Sequence, residues 1–224
     1  MPIRAQRPRH RPPEEKPRVA AQAALPAAVE IDRCRRCDLW RRATRGVAGE
    51  GPAQAEIVLI GEQPGDSEDR LGRPFVGPAG RLLDQLLLEA GLERSAVYVT
   101  NAVKHFKWEA RGKRRLHRRP TAAEIDACHV WLDREIEAIR PTVIIALGGS
   151  AARALLHRAA PVEATRGRLL SHPSGARIFV TYHPSAVLRA DRAAARVRGM
   201  LVEDLKRAAQ ALVAGGPSPR HSAS

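Results

Sequence analysis

Four short runs rich in β-branched residues, at 57–60, 97–100, 143–147 and 178–182, recur along the chain, and each closes on a polar or glycine-rich turn. Between them the period changes. Leu82, Leu83, Leu86 and Leu87 share one face of a helix predicted over 79–90, which Gly91 stops. Thr121 and Glu124 form a capping box, and Ile125, Cys128, Trp131, Leu132, Ile136 and Ile139 follow at helical spacing until Pro141. Ser150 is placed to cap a third helix from 151 to about 157, and a last helix is expected over about 191–212. Strands alternating with helices predict the α/β class: a three-layer α/β/α domain around a central, mainly parallel four-stranded sheet.

In such a sheet, ligands sit beyond the carboxyl ends of the strands. The first strand delivers Gly61-Glu62-Gln63-Pro64-Gly65-Asp66, the second Asn101, the third Gly148-Gly149-Ser150 and the fourth His183-Pro184-Ser185. All four are expected on one rim. A turn and a cap would explain Pro64, Gly65 and Asp66 alone, but a carboxylate, two amides and an imidazole gathered there exceed what capping requires.

The 224 residues suffice for one domain with a sizeable core. Residues 1–27, rich in Pro, Arg and Ala without a sustained apolar period, read as a disordered basic arm, and 213–224 as a matching tail. That leaves 28–212 as the folded unit. Lys and Arg number 38 against 24 Asp and Glu, a formal charge of +14, which points to a polyanionic partner such as nucleic acid. No apolar run is long enough to span a bilayer and no secretory h-region follows the first residues, so a cytoplasmic protein is expected.

Three groups of residues carry chemistry. Cys34-Arg35-Arg36-Cys37 has the two-residue gap that lets two thiolates grip one metal centre, with Cys128 as a third donor. A histidine must complete four, and His105 and His129 lie nearest Cys128 in sequence. Spacing alone admits zinc as readily as iron and sulfide. The second group runs from Lys104 to Pro120, where cationic residues cluster with interleaved aromatics and enclose His117. Such a loop meets phosphates and stacks bases, and neighbouring positive charge favours a neutral, nucleophilic imidazole. A solvated basic loop is the plainer alternative. The third group, His183 to Arg189, pairs a stiff strand-end histidine with an apolar tip able to wedge between bases; the plainer alternative is a turn.

Together these residues resemble the uracil-DNA glycosylase superfamily over about residues 31–212. Within it they resemble the iron–sulfur branch and, more narrowly, its X-type members, which cross-link themselves to DNA. Gly61-Glu62-Gln63-Pro64-Gly65-Asp66 is similar to the X-type first motif, where other iron–sulfur members usually carry Ala in place of Gln63. Lys113-Arg114-Arg115-Leu116-His117 resembles the X-type insertion, and His183-Pro184-Ser185 the second superfamily motif.

The resemblance implies that Phe75 stacks on a flipped uracil, Asn101 reads its Watson–Crick edge and His183 bonds O2 as the base leaves. Gly61, Gly65, Ser185 and Arg189 belong to the substrate-binding set. Glu62 or Asp66 favours the cationic sugar. His117, held by Glu62 or Gln63 and by Arg115, replaces the attacking water and captures C1′. Cys34, Cys37, His105 and Cys128 are implied to hold a [4Fe-4S] cluster. The expected partner is uracil-containing DNA, single-stranded by preference, met by a monomer. A turnover glycosylase without adduct, and a metal-stabilised nucleic-acid-binding module without catalysis, are the alternatives.

Overall fold

The computed structural model describes residues 23–168 and 170–214. Of the arm expected over 1–27 only 23–27 fall within that range, and of the expected tail only 213 and 214; the remainder lies outside the described residues. The chain runs through α1 (Ala28–Asp32), β1 (Ile57–Gly61), α2 (Asp66–Leu71), α3 (Pro78–Glu89), β2 (Tyr98–Asn101), a hairpin of β3 (Trp108–Arg111) and β4 (Arg114–His117), and α4 (Ala122–Ile139). Then follow β5 (Val143–Leu147), α5 (Gly149–Leu156), α6 (Val162–Thr165), β6 (Leu170–Ser171), β7 (Arg177–Thr181), α7 (Pro184–Arg189) and α8 (Ala194–Ala214).

The sheet order is β2-β1-β5-β7-β6. The four expected strands pair in parallel, and β6, too short to register as a strand in sequence, adds an antiparallel edge. Every residue of β1 and β5 is buried, as befits central strands covered on both faces. Alternation sorts their side chains into two layers. Val58, Ile60 and Ile144 pack with Ile125, Leu132 and Ile136 of α4 and with Leu155 of α5. Ile57, Leu59 and Ile145 pack with Leu83, Leu86 and Leu87 of α3 and with Leu201 and Leu205 of α8.

One polar knot interrupts the first layer. Lys104 and Glu135, both fully buried, pair at 2.7 Å. Glu135 also accepts from the hydroxyls of Thr100 and Tyr98 and from the backbone of Gly49, so its lone pairs are satisfied where water is absent. This knot locks α4 to the strand that ends in Asn101. Among the described residues, no helix is long and apolar enough to cross a membrane.

Candidate active site

Chain leaving β1 turns toward β2 on one side, while chain leaving β5 turns toward β7 on the other, so the crevice between these two strand ends is the topological switch point. Gly61 and Asn101 stand side by side in the parallel register. A Cβ at Gly61 would lie 2.4 Å from the Asn101 side-chain oxygen and 2.7 Å from the Phe75 ring, so glycine is required for these two groups to share one floor. Phe75 takes an unusual φ of 56°, and the start of α3 is pressed so close that a Cβ at Gly80 would meet the Phe75 carbonyl oxygen at 1.7 Å. Its ring is thereby fixed, 6.1 Å from that of His183 and tilted from it by 26°.

His183 caps α7. The backbone N–H of Ser185 donates to its Nδ1 at 3.1 Å, which makes Nδ1 an acceptor and leaves the proton on Nε2. Burial, then the positive charges of Arg189 and His117, push its pKa down to about 4. A neutral imidazole with a free Nε2–H is a hydrogen-bond donor that stays uncharged at neutral pH.

Glu62 receives the hydroxyl of Ser150 at 2.5 Å, with His117 Nε2 at 3.3 Å and Arg119 at 3.5 Å. Burial holds the His117 pKa below the usual imidazole range against the opposing pull of Glu62, and Arg189 and Arg119 push the same way as burial. His117 ends β4, which sequence inspection reads as part of an irregular loop. The hairpin turns at Gly112, whose φ of 57° suits a two-residue primed turn, but its charged strands lack the apolar alternation that marks hairpins.

What docks the hairpin is polar. The Gln63 amide donates to the carbonyls of Lys107 and Arg118 and accepts from the Lys107 N–H, so it grips both strands at their base. Arg115 pairs with Asp66 and Asp69 and lies 5.4 Å over the Trp108 ring. Alanine at position 63 would leave two carbonyls and an N–H without these partners.

The strand-end residues therefore gather as expected, with differences. Asp66 binds Arg70 and Arg115 and stands with the hairpin anchor. Gly65 caps α2, and its N–H donates to Glu68, whose other oxygen accepts from Gly77, so one buried carboxylate ties the start of α2 to the start of α3. Ser150 does not cap α5: Gly148 occupies that position, and the hydroxyl reaches Glu62 instead. Asp69 and Arg119 escape sequence reasoning because their partners lie in other segments, Glu68 because its carboxylate bridges Gly65 and Gly77 only once the chain turns, and Ser150, expected on the rim, because its bond to Glu62 is tertiary. The Ser150 position after two glycines is the one signal, and there it reads as a cap. Residues 184–189, which admit reading as a turn, form α7 with Leu188 exposed.

The thiol groups lie on α4 and in the segment after α1, with Cys128 against the chain that leaves β2. Trp131 Nε1 donates to Cys34 Sγ and the Lys104 N–H to Cys128 Sγ, both at 3.2 Å. Burial pushes the Cys128 thiol up to about 12, opposed by Lys104, and Cys37 and Cys34 add to the rise. Burial likewise raises Cys37, with Cys34 contributing. His105 is buried within the fields of Asp32 and Arg35, beside the Cys34 segment. His129, the other candidate donor, is engaged by Asp133 at 2.5 Å and by the His157 ring at 4.3 Å. No group of three or more His, Cys, Asp or Glu among the described residues converges tightly enough to grip a single ion. Cys34 lies near enough to raise both Cys37 and Cys128, and the buried His105 imidazole stands close to the Cys34 segment. Thiolate and imidazole donors of this kind suit either zinc or an iron–sulfur centre.

The family model of the uracil DNA glycosylase superfamily matches residues 48–206. The chain belongs to that superfamily. A type-4 uracil-DNA glycosylase of Sulfurisphaera tokodaii is 37% identical over 186 residues, 80% of each chain. One from Archaeoglobus fulgidus is 39% identical over 166 residues, 71% of this chain and 80% of its own. One from Thermotoga maritima is 37% identical over 179 residues, 80% of this chain and 88% of its own. These relatives are type-4 enzymes, so the comparisons reach the superfamily without singling out the X-type branch.

Proposed function

We propose that this superfamily member is a uracil-DNA glycosylase, which flips uracil out of DNA and breaks its N-glycosidic bond. The observation that carries this is the slot formed by Phe75, Asn101 and the neutral His183 over Gly61. Flipped bases are read by stacking on an aromatic ring and by hydrogen bonds to their Watson–Crick edge. Asn101 reads that edge, and Nε2–H of His183 donates to O2 as negative charge develops on the leaving base. Arg189 and the exposed Leu188 occupy the helix next to the slot, where they help hold the extruded nucleotide. Single strands are preferred, because extrusion from them costs least.

Two outcomes follow bond cleavage. In the simpler one, supported by the type-4 relatives, Glu62 positions a water that attacks C1′. The 3.3 Å approach of His117 to Glu62, on a hairpin clamped by Gln63 and Arg115, favours the second, in which the imidazole takes the place of water and the protein remains attached. A [4Fe-4S] centre held by Cys34, Cys37, His105 and Cys128 would supply a cross-link between the N-terminal segment, the chain leaving β2 and α4. Iron analysis and absorbance of the purified protein test that point.

A uracil-containing single-stranded oligonucleotide, with a thymine control, tests the rest. Alkali-labile breakage at uracil without a heat-stable band supports turnover. A band surviving denaturant and lost in His117→Ser supports capture, and an unchanged band in that variant would falsify it. Neither product, from protein that is folded, overturns the enzymatic reading.

A further inference from the structure

Glu62 is approached by three groups, and they differ in how firmly they are held. The side chain of Arg119 is 79% exposed and that of His117 half exposed. Ser150 is buried in the first turn of α5, and the preceding Gly148 is tied by its N–H to the Thr181 carbonyl at 2.8 Å. Its hydrogen bond to Glu62 crosses the switch-point crevice from β5 to β1. The geometry also sets up a competition: Ser150 and Arg119 approach the same oxygen, Oε2, while His117 faces Oε1.

We infer that Ser150 is a positioning residue, whose hydroxyl holds Oε2 of Glu62 so that Oε1 stays turned to His117. This rests on the reading of His117 as the group that captures the sugar. In that step a bond forms between one imidazole nitrogen and C1′ while the bond from C1′ to N1 of uracil breaks, and its electron pair departs with the base. The imidazole becomes a cation, and its remaining N–H proton is held by Oε1 of Glu62. A neutral hydroxyl fixes the carboxylate without cancelling its charge, whereas a guanidinium would both turn it and neutralise it. Ser150 thus keeps the carboxylate available against an exposed competitor two residues from His117 itself.

Ser150→Ala, made in the full chain, is expected to slow adduct formation on a uracil-containing single strand by about tenfold or more, as loss of orientation at a reacting group does. Its melting temperature falls by only about 2–4 °C, roughly what loss of one hydrogen bond costs in a domain of this size. Ser150→Thr, which keeps the hydroxyl, restores the rate. Arg119→Ala, added to Ser150→Ala, recovers part of it by removing the competitor. Wild-type speed in Ser150→Ala overturns the inference, as does a loss that neither Thr nor the Arg119 change relieves in folded protein. Absence of any adduct in the wild type fails earlier and differently: it overturns the capture reading of His117, and this inference with it.

Discussion

Glu135 and Glu62 are carboxylates near two strand ends in one layer of the fold, yet their surroundings are opposite. Glu135, on α4, is sealed, with a lysine, two hydroxyls and a backbone N–H converging on it from β2, the chain just after that strand and the segment before β1. Glu62 is sealed on one side by Ser150 and open on the other to two exposed cations, or one cation and a neutral imidazole. Nothing about Glu135 can move without stranding a buried charge, so it serves the fold. Glu62 retains freedom to change partners, which a group that must stabilise a transient cation needs. Satisfaction of every lone pair marks structure, and a carboxylate with one buried and two exposed partners marks chemistry.

The largest expected effect breaks the structural member of this pair. Glu135→Ala leaves Lys104 buried and unpaired, which costs about 3–5 kcal/mol, a loss readable by denaturant unfolding. Replacing both partners, Lys104→Met with Glu135→Leu, is expected to recover only part of it: no charge is then left behind, but the Tyr98 and Thr100 hydroxyls and the Gly49 N–H lose their acceptor. A single variant as stable as the wild type would mean that water reaches the knot.

The functional member should behave in reverse. Glu62→Gln keeps the shape and an acceptor for Ser150, so unfolding is unchanged within about 1 kcal/mol. Uracil excision or capture should fall by about 100-fold, at the low end for a group that exchanges protons with the reacting centre. Equal losses of stability and activity would erase the distinction between the two carboxylates.

A smaller effect tests how the hairpin is held. Gln63→Ala removes three hydrogen bonds at the base of β3 and β4. With the freed groups able to reach water at the hairpin edge, the expected cost is about 1–2 kcal/mol of local rather than global stability, seen as faster amide exchange in 107–118. Capture should weaken more than excision, since Phe75, Asn101 and His183 do not depend on the hairpin. Equal decline of both would place Gln63 in the base-binding slot instead.

These cases also show what sequence can carry. The central strands were legible because Ile57, Val58, Leu59 and Ile60 are apolar on both faces, and α4 because its capping box and apolar spacing agree. The rim followed from topology. The hairpin did not, since Lys107, Arg115 and Arg118 gain their order from Gln63, Asp66 and Asp69, partners fixed only once the chain is folded. Ser150 misled for a related reason: a serine at a helix start has a local use, and here the tertiary use prevails. His129 and His157 show the same, meeting ring against ring although 28 positions separate them only through the folding of α4 onto α5.

The finest effect is electrostatic. In the unfolded chain His183 titrates near the ordinary 6.5, whereas in the fold burial and the charges of Arg189 and His117 bring it to about 4. Its folded pKa is depressed, so between about 4 and 6.5 the unfolded state binds the extra proton. The stabilisation is therefore full above 6.5 and is lost as pH falls toward 4. His117, His105 and His172 are shifted in the same direction, so the wild-type curve sums several groups and only a difference isolates His183. Unfolding of the wild type and of His183→Asn, followed from pH 7 to pH 4, should give a shallower decline in the variant. Parallel curves would mean that His183 is solvated in the free protein, and its neutrality in the slot would then have to come from the bound base.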